Sequence, residues 1–324
     1  MDSINDWLLS NHPWTAYRTR RDLLEEPENT AKVQQARTEM LKHPLVESLI
    51  ADLLLWPGGI LTSHKSAGTA LHKLVFAADL GLTVNDPSIA EIAARVMEHQ
   101  SAQGPFQMLG KVSPAYGGTG EEVWGWALCD APSLVYALAK LELRDDPRVR
   151  AAAAHLAGLG RENGWPCAVS PEMGTWRGPG RKEDPCPYAN LITLKALAQF
   201  EDWRESTAVR NGVEAALALW ETRHQSHPYI FYMGTDFCKL KAPLVWYDIV
   251  HMLDVLTQFA WTHSDPRLHT MLDVALTKAD ADGKFTPESI WQAWKAWDFG
   301  QKKVPSPWLT LLMQRILKRV QRVP

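Results

Sequence analysis

Apolar positions along this chain return at helical spacing, and they do so in pairs of segments. The clearest pair member lies inside Phe231 to Phe259, where a polar and aromatic loop runs straight into an apolar helix. Ile249, Leu253, Leu256 and Ala260 follow one another at four, three and four residues, which is one buried helix face. Asp248, His251 and Val255 fall on a neighbouring stripe, so the pattern predicts a helix packed on one side and facing a cavity on the other. The loop before it crowds Tyr232, Asp236, Cys238, Lys239, Lys241, Trp246 and Tyr247 together, far richer in functional groups than ordinary connections.

The same unit repeats with a period of about sixty residues. Asp86-Pro87, Asp146-Pro147 and Asp265-Pro266 each open an amphipathic run, and Glu205-Ser206 opens another at the intervening beat. Asp as N-cap with Pro in the first turn is a sound helix start, because the side chain accepts an orphan N–H and the ring presets φ. First helices are expected at 44–55, 87–99, 147–159, 206–222 and 266–278, and second helices at 66–82, 130–143, 187–201, 245–261 and 307–320. Two more, at 13–25 and 30–41, complete a sixth pair. No region shows strand alternation. The second helices carry little charge, as in LITLKALAQF, and the loops leading into them are long while the return loops are short. That asymmetry predicts an all-α ring of hairpins, one domain over residues 1–324, with function at the long-loop rim.

Composition narrows the class. A net charge of -3 gives no footprint for nucleic acid, and no stretch reaches the roughly eighteen apolar residues of a membrane helix, so a cytoplasmic protein without a membrane span is expected. Four cysteines are too few for a disulfide framework. Fifteen tryptophans outnumber the tyrosines and the phenylalanines, and the indole N–H makes Trp a poor filler, so several should line a cavity.

The turns that close the first helices carry a further signal: Gln100 with Gly104 and Phe106 (QSAQGPF), Gly164-Trp165 (RENGWP), and Asp280 with Gly283 and Phe285 (DADGKF). They resemble the glutamine-tryptophan repeats of squalene-type cyclases. With the repeat, they make the chain similar to the α/α-toroid superfamily of terpenoid cyclases and protein prenyltransferase β subunits. The resemblance implies an α/α toroid with a hydrophobic central cavity. It supplies no catalytic residue: the Asp-x-Asp-Asp acid motif of the cyclases is absent, and the Asp, Cys and His zinc set of the prenyltransferases is not reproduced at its spacing.

The residues themselves offer three groups. Asp248 and His251 stand three apart beside Trp246 and Tyr247, where desolvation would raise the acid's pKa as a general acid requires; a buried structural pair is the plainer account. His72 occupies the same repeat position as His251. Asp130, after Cys129, is a second catalytic candidate or simply an N-cap. Arg177, Arg181, Lys239 and Lys241 form a basic set suited to a phosphate or carboxylate clamp, with salt bridges to residues such as Asp236 as the alternative. Trp126, Trp176, Tyr232, Trp246, Tyr247 and Trp297 are candidates for the cavity wall. Cys129, Cys186 and Cys238 are the candidate thiolate ligands, but no Cys-x-x-Cys spacing joins them, so zinc or magnesium stays open. The leading expectation is an isoprenoid-acting enzyme, cyclase-like or prenyl-transfer-like, on a small hydrophobic or amphiphilic substrate. A carbohydrate-active α/α barrel, pairing Asp130 with Asp248 or Asp298, and a non-catalytic binding module are the alternatives.

Overall fold

A computed structural model describes residues 4–321 of the chain. It divides into two compact units, one formed by both ends of the chain, up to Ala51 and from Thr235 on, and one spanning Asp52–Gly234. The end unit begins with α1 (Ile4–Leu9), α2 (Pro13–Arg18), α3 (Ala31–Leu41) and α4 (Pro44–Leu53), the last crossing the boundary. The middle unit holds α5 (Ala70–Asp79), α6 (Ile89–Met97), α7 (Ala131–Leu138), α8 (Pro147–Gly158), α9 (Pro187–Leu197), α10 (Glu201–Arg204) and α11 (Thr207–Glu221). The end unit then resumes with α12 (Ile249–Leu256), α13 (Pro266–Leu276) and α14 (Pro307–Gln321).

In the middle unit the second helices lie side by side, α5 against α7 and α7 against α9, while α8 and α11 back onto them. Burial follows this layering. Every residue of α7 and α9 is buried, whereas α6, α8 and α11 each bury a single stripe, such as Val149, Ala152, Ala153 and Leu156. Helices apolar all round belong in an inner layer and amphipathic ones outside it. The inner layer carries a buried ionic group: Lys195 lies 3.9 Å from Asp79, with its Nζ 4.4 Å from the centre of the Tyr136 ring, and the Tyr136 hydroxyl donates to Asp79. It ties α5, α7 and α9 in register.

The end unit repeats the layering with α12 against α14 and α14 against α2, backed by α13 and α3. Both ends of the chain meet inside it, for Lys318 donates to the carbonyls of Asp22 and Leu23. Each unit is thus an all-α double layer of helical hairpins, the fold class expected from the repeat.

The turns that carry the family resemblance each close on an isolated antiparallel bridge. Gln100 bridges Phe106, Arg161 bridges Gly164 and Ala279 bridges Phe285 across tight antiparallel closures. Gly104 and Gly164 take φ of +114° and +97°, and a Cβ on Gly164 would stand 2.6 Å from Asn190 Oδ1. Gln100 then reaches the next hairpin, donating to the Arg148 carbonyl at 2.9 Å, and the Trp165 indole N–H donates to the Leu156 carbonyl at 2.7 Å.

Three expectations need correction. Residues 108–125 form a small antiparallel hairpin, β1 (Met108–Lys111) with β2 (Glu122–Gly125), too short to show alternation in sequence. Asp86 does not cap α6: its Oδ2 turns back to the Thr83 N–H at 2.7 Å, and Ser88 stands at the cap in a left-handed conformation. The second helices at 66–82 and 245–261 begin four residues late, at Ala70 and Ile249. The caps at Asp146, Ser206 and Asp265 do form, each accepting a first-turn N–H.

Candidate active site

The N-terminus of α7 is where the middle unit concentrates its chemistry. Asp130 is the N-cap residue, only 1% exposed, and both its oxygens are occupied. Oδ1 accepts the Ala127 N–H at 2.9 Å, and Oδ2 lies 2.9 Å from Nε2 of His64. When the Nε2–H donates to Asp130, the carboxylate fixes the imidazole orientation and Nδ1 is the ring's proton-accepting edge. His64 reaches this position because His72, in the first turn of α5, sends its own Nε2 to the His64 carbonyl at 2.8 Å. Burial lowers the His72 pKa to about 4, so it anchors the loop as a neutral ring.

The dyad forms one wall of a pocket of about 270 Å³. Leu61, Met108 and Met173 give it apolar surface, and Lys111, Ser113 and Tyr116 give it a polar side. The Trp176 indole lies nearly parallel to the His64 ring at 6.0 Å, forming a flat aromatic wall. Hairpin β1–β2 supplies Met108, Gly110, Lys111 and Gly125, so the missed strands are part of the site.

Of the residues singled out in sequence, Asp130 and Trp176 meet in this pocket and His72 supports it. His64 was missed. It stands in a loop without periodicity, 66 residues before Asp130, and only the packing of α5 against α7 brings the two together. Trp126 does not line the pocket; its indole N–H donates to Gln103 at 2.9 Å and its ring meets His155 edge-on. Arg177 is exposed, and Arg181 lines a separate, larger groove of about 700 Å³ along α11, with Glu162, Asp184 and His227. Tyr232 is exposed and stacks on His227 at 4.2 Å.

The end unit holds the other candidates. Asp248 N-caps α12, its Oδ1 accepting the His251 N–H at 3.0 Å. The hydrogen bond between this pair is therefore made by backbone; the His251 ring instead places Nδ1 2.7 Å from the Trp246 carbonyl. Asp248 Oδ2 is buried without a hydrogen-bond partner, and burial pushes the carboxyl up to about 7, against the pull of helix N–H groups and the nearby Lys241 charge. Lys239 and Lys241 both pair with Asp236, at 3.3 and 3.2 Å, and Lys241 also lies 5.8 Å from the Trp291 ring. Tyr247 packs on Phe237, and Trp246 is half-buried. Trp297 stacks with Phe299 and meets Trp14, which is core packing. Asp298 binds the Ser306 hydroxyl and the Trp308 N–H at the start of α14.

For a metal, Cys129 and Cys186 belong to the middle unit while Cys238 belongs to the other. Among the described residues, no group of three His, Cys, Asp or Glu side chains is placed to hold an ion. Nor is any helix among them long and apolar enough to cross a membrane.

No protein-family model and no curated protein matches the sequence. Solved structures similar to the chain include a variant of the unsaturated glucuronyl hydrolase UGL with dGlcA-Glc-Rha-Glc, at 17% identity over 94% of this chain and 84% of that one, TM-score 0.47. Another is the type II terpene cyclase MstE from Scytonema in complex with geranylgeranyl dihydroxybenzoate, at 13% identity over 96% and 88%, TM-score 0.42. At these scores neither bears on the reaction.

Proposed function

We propose that the chain is an enzyme working by general acid–base catalysis at the Asp130–His64 dyad, on a small amphiphilic substrate held in the pocket beside it. The carrying observation is the 2.9 Å contact between the buried Asp130 carboxylate and His64 Nε2 at the pocket wall. Asp130 orients the ring, His64 Nδ1 takes a proton from water or a substrate hydroxyl, and Trp176 receives a flat or ring-shaped portion of the substrate. Lys111 gives the polar side a cation suited to a substrate phosphate or carboxylate. The test is turnover of a panel of phosphoesters, carboxylic esters and glycosides. Activity that falls about 10²–10⁴-fold in His64→Ala supports the reading. Activity indifferent to both His64→Ala and Asp130→Asn removes it.

A second reading, an isoprenoid-acting enzyme initiated by protonation, is favoured by Asp248. A carboxyl raised to about 7 with a buried, unpartnered oxygen is suited to give a proton to an alkene. Cyclisation of a prenyl substrate that is lost in Asp248→Asn and kept in His64→Ala would decide for it.

A further inference from the structure

The groove along α11 has no part in the chemistry above, although its volume of about 700 Å³ is more than twice that of the pocket beside the dyad. α11 buries one stripe, Val209, Gly212, Val213, Ala216, Leu217 and Trp220. The adjacent stripe, Asn211, Glu214, Ala215, Ala218, Leu219 and Thr222, lines the groove. From Asn211 to Thr222 it runs about 16 Å at the rise of an α-helix. The loop between α8 and α9 supplies Glu162, Arg181 and Asp184, and the turn after α11 supplies Gln225 and His227.

The backbone around these groups is pinned. Arg161 donates to the Lys182 carbonyl at 3.0 Å and Asn163 to the Glu183 carbonyl at 2.9 Å, which joins the two ends of the α8–α9 loop. His227 Nε2 donates to the Arg223 carbonyl at 3.0 Å, and the exposed Tyr232 ring stacks on the imidazole at 4.2 Å. Between those two rings Tyr229 and Ile230 take φ of +53° and +55°, a left-handed pair that is costly for side-chain-bearing residues and most of all for a β-branched one. The bend lays the Tyr229 ring against Gly180, where a Cβ would stand 2.4 Å from it. A strained turn thus ties the His227 end of the groove to the loop that carries Arg181.

We infer that this groove is a binding site for a short neutral oligosaccharide, separate from the dyad pocket. Arg181 only donates hydrogen bonds, while ionised Glu162 and Asp184 only accept them. Among the described residues none of these three is in an ion pair, unlike Lys239 and Lys241 with Asp236. A simple cation meets Arg181 here, and a simple anion meets Glu162, Asp184 and Glu214. A hydroxyl suits both, since it donates to a carboxylate and accepts from a guanidinium. Gln225 adds an amide that both donates and accepts, and Ala215, Ala218 and Leu219 give apolar surface for the C–H faces of sugar rings. Tyr232 offers a flat exposed face beside His227. The length of the α11 stripe suits a chain of sugar units over a single one.

The experiment is a saturation-transfer NMR titration of the wild-type chain with short neutral oligosaccharides of glucose, xylose and mannose at millimolar concentration, and with a lysine-rich peptide for comparison. The expected result is saturable binding of at least one oligosaccharide and none of the peptide. Affinity should fall about tenfold or more in Arg181→Ala and in Tyr232→Ala. It should stay within a small factor in His64→Ala, which separates the groove from the dyad pocket. Arg181 and Tyr232 are both exposed, so these variants keep the fold, and an unchanged thermal midpoint checks it. Four results would overturn the assignment: no saturable binding of any oligosaccharide, binding of the peptide in their place, affinity indifferent to either groove variant, or binding lost in His64→Ala.

Discussion

Asp130 and Asp248 are the same feature used in two ways. Each stands at the N-cap position of a buried inner helix, each is 1% exposed, and each gives one oxygen to a backbone N–H, that of His251 in the first turn for Asp248 and that of Ala127, ahead of the helix, for Asp130. They differ at the second oxygen. His64 occupies that of Asp130, whereas that of Asp248 meets no donor and its carboxyl rises to about 7. The histidines run in parallel: His72 and His251 both stand in the first turn of their helices, and each binds the carbonyl of the incoming loop, at 2.8 and 2.7 Å. The His72 bond fixes a loop that carries His64 to the carboxylate. In the end unit the corresponding loop brings Lys241 near Asp248, as a charge and not as a hydrogen-bond partner. Two acidic N-cap positions thus give an orienting carboxylate in one unit and a proton-holding acid in the other.

The comparison breaks most visibly at His64. His64→Ala should lower turnover of a confirmed substrate about 10²–10⁴-fold, while Asp248→Asn leaves it within a small factor. Linkage gives the next effect. The folded pKa of Asp248, about 7, lies above its ordinary 3.8, so the native state binds the extra proton between those values; stability is fully present at low pH and lost as pH rises toward 7. His72 is opposite: its folded pKa of about 4 lies below 6.5, so stability is present above 6.5 and lost as pH falls toward 4. Each slope is at most about 1.4 kcal/mol per pH unit, and the two oppose one another in their shared window. Denaturant midpoints across pH should therefore climb more steeply with pH in Asp248→Asn than in wild type, and fall in His72→Gln.

Smaller effects sharpen the same contrast. Asp130→Ala removes two partners from buried donors and should cost about 2–3 kcal/mol, against about 1 kcal/mol for Asp248→Ala, which loses the single cap. Chemical denaturation measures both. His251→Gln should cost about 1 kcal/mol through the Trp246 carbonyl, without altering turnover at the dyad.

The sequence displays the fold more openly than the site, for a physical reason. Caps such as Asp146 and Asp265, the inner-helix run LITLKALAQF and the glycines at 104 and 164 are local devices, and local devices leave local patterns. Asp130 and Trp176 were visible as unusual residues in or beside the long loops. His64 was not, because an imidazole in an aperiodic loop gains its meaning only from a carboxylate that folding brings to it. The hairpin at 108–125 escaped for a related reason: its four-residue strands are set by pairing Met108 with Gly125, which leaves no alternation to read. Lys239 and Lys241 looked like an anion clamp, but Asp236, in the same loop, accepts from both.

The orientation of the His64 ring by Asp130 is the central claim, and nitrogen-resolved NMR of the imidazole tests it without any substrate. At alkaline pH, where imidazoles are neutral, His64 should carry its proton on Nε2, donating to Asp130, and that preference should collapse in Asp130→Ala. A ring protonated on Nδ1, or a tautomer indifferent to Asp130→Ala, would contradict the dyad and the function built on it.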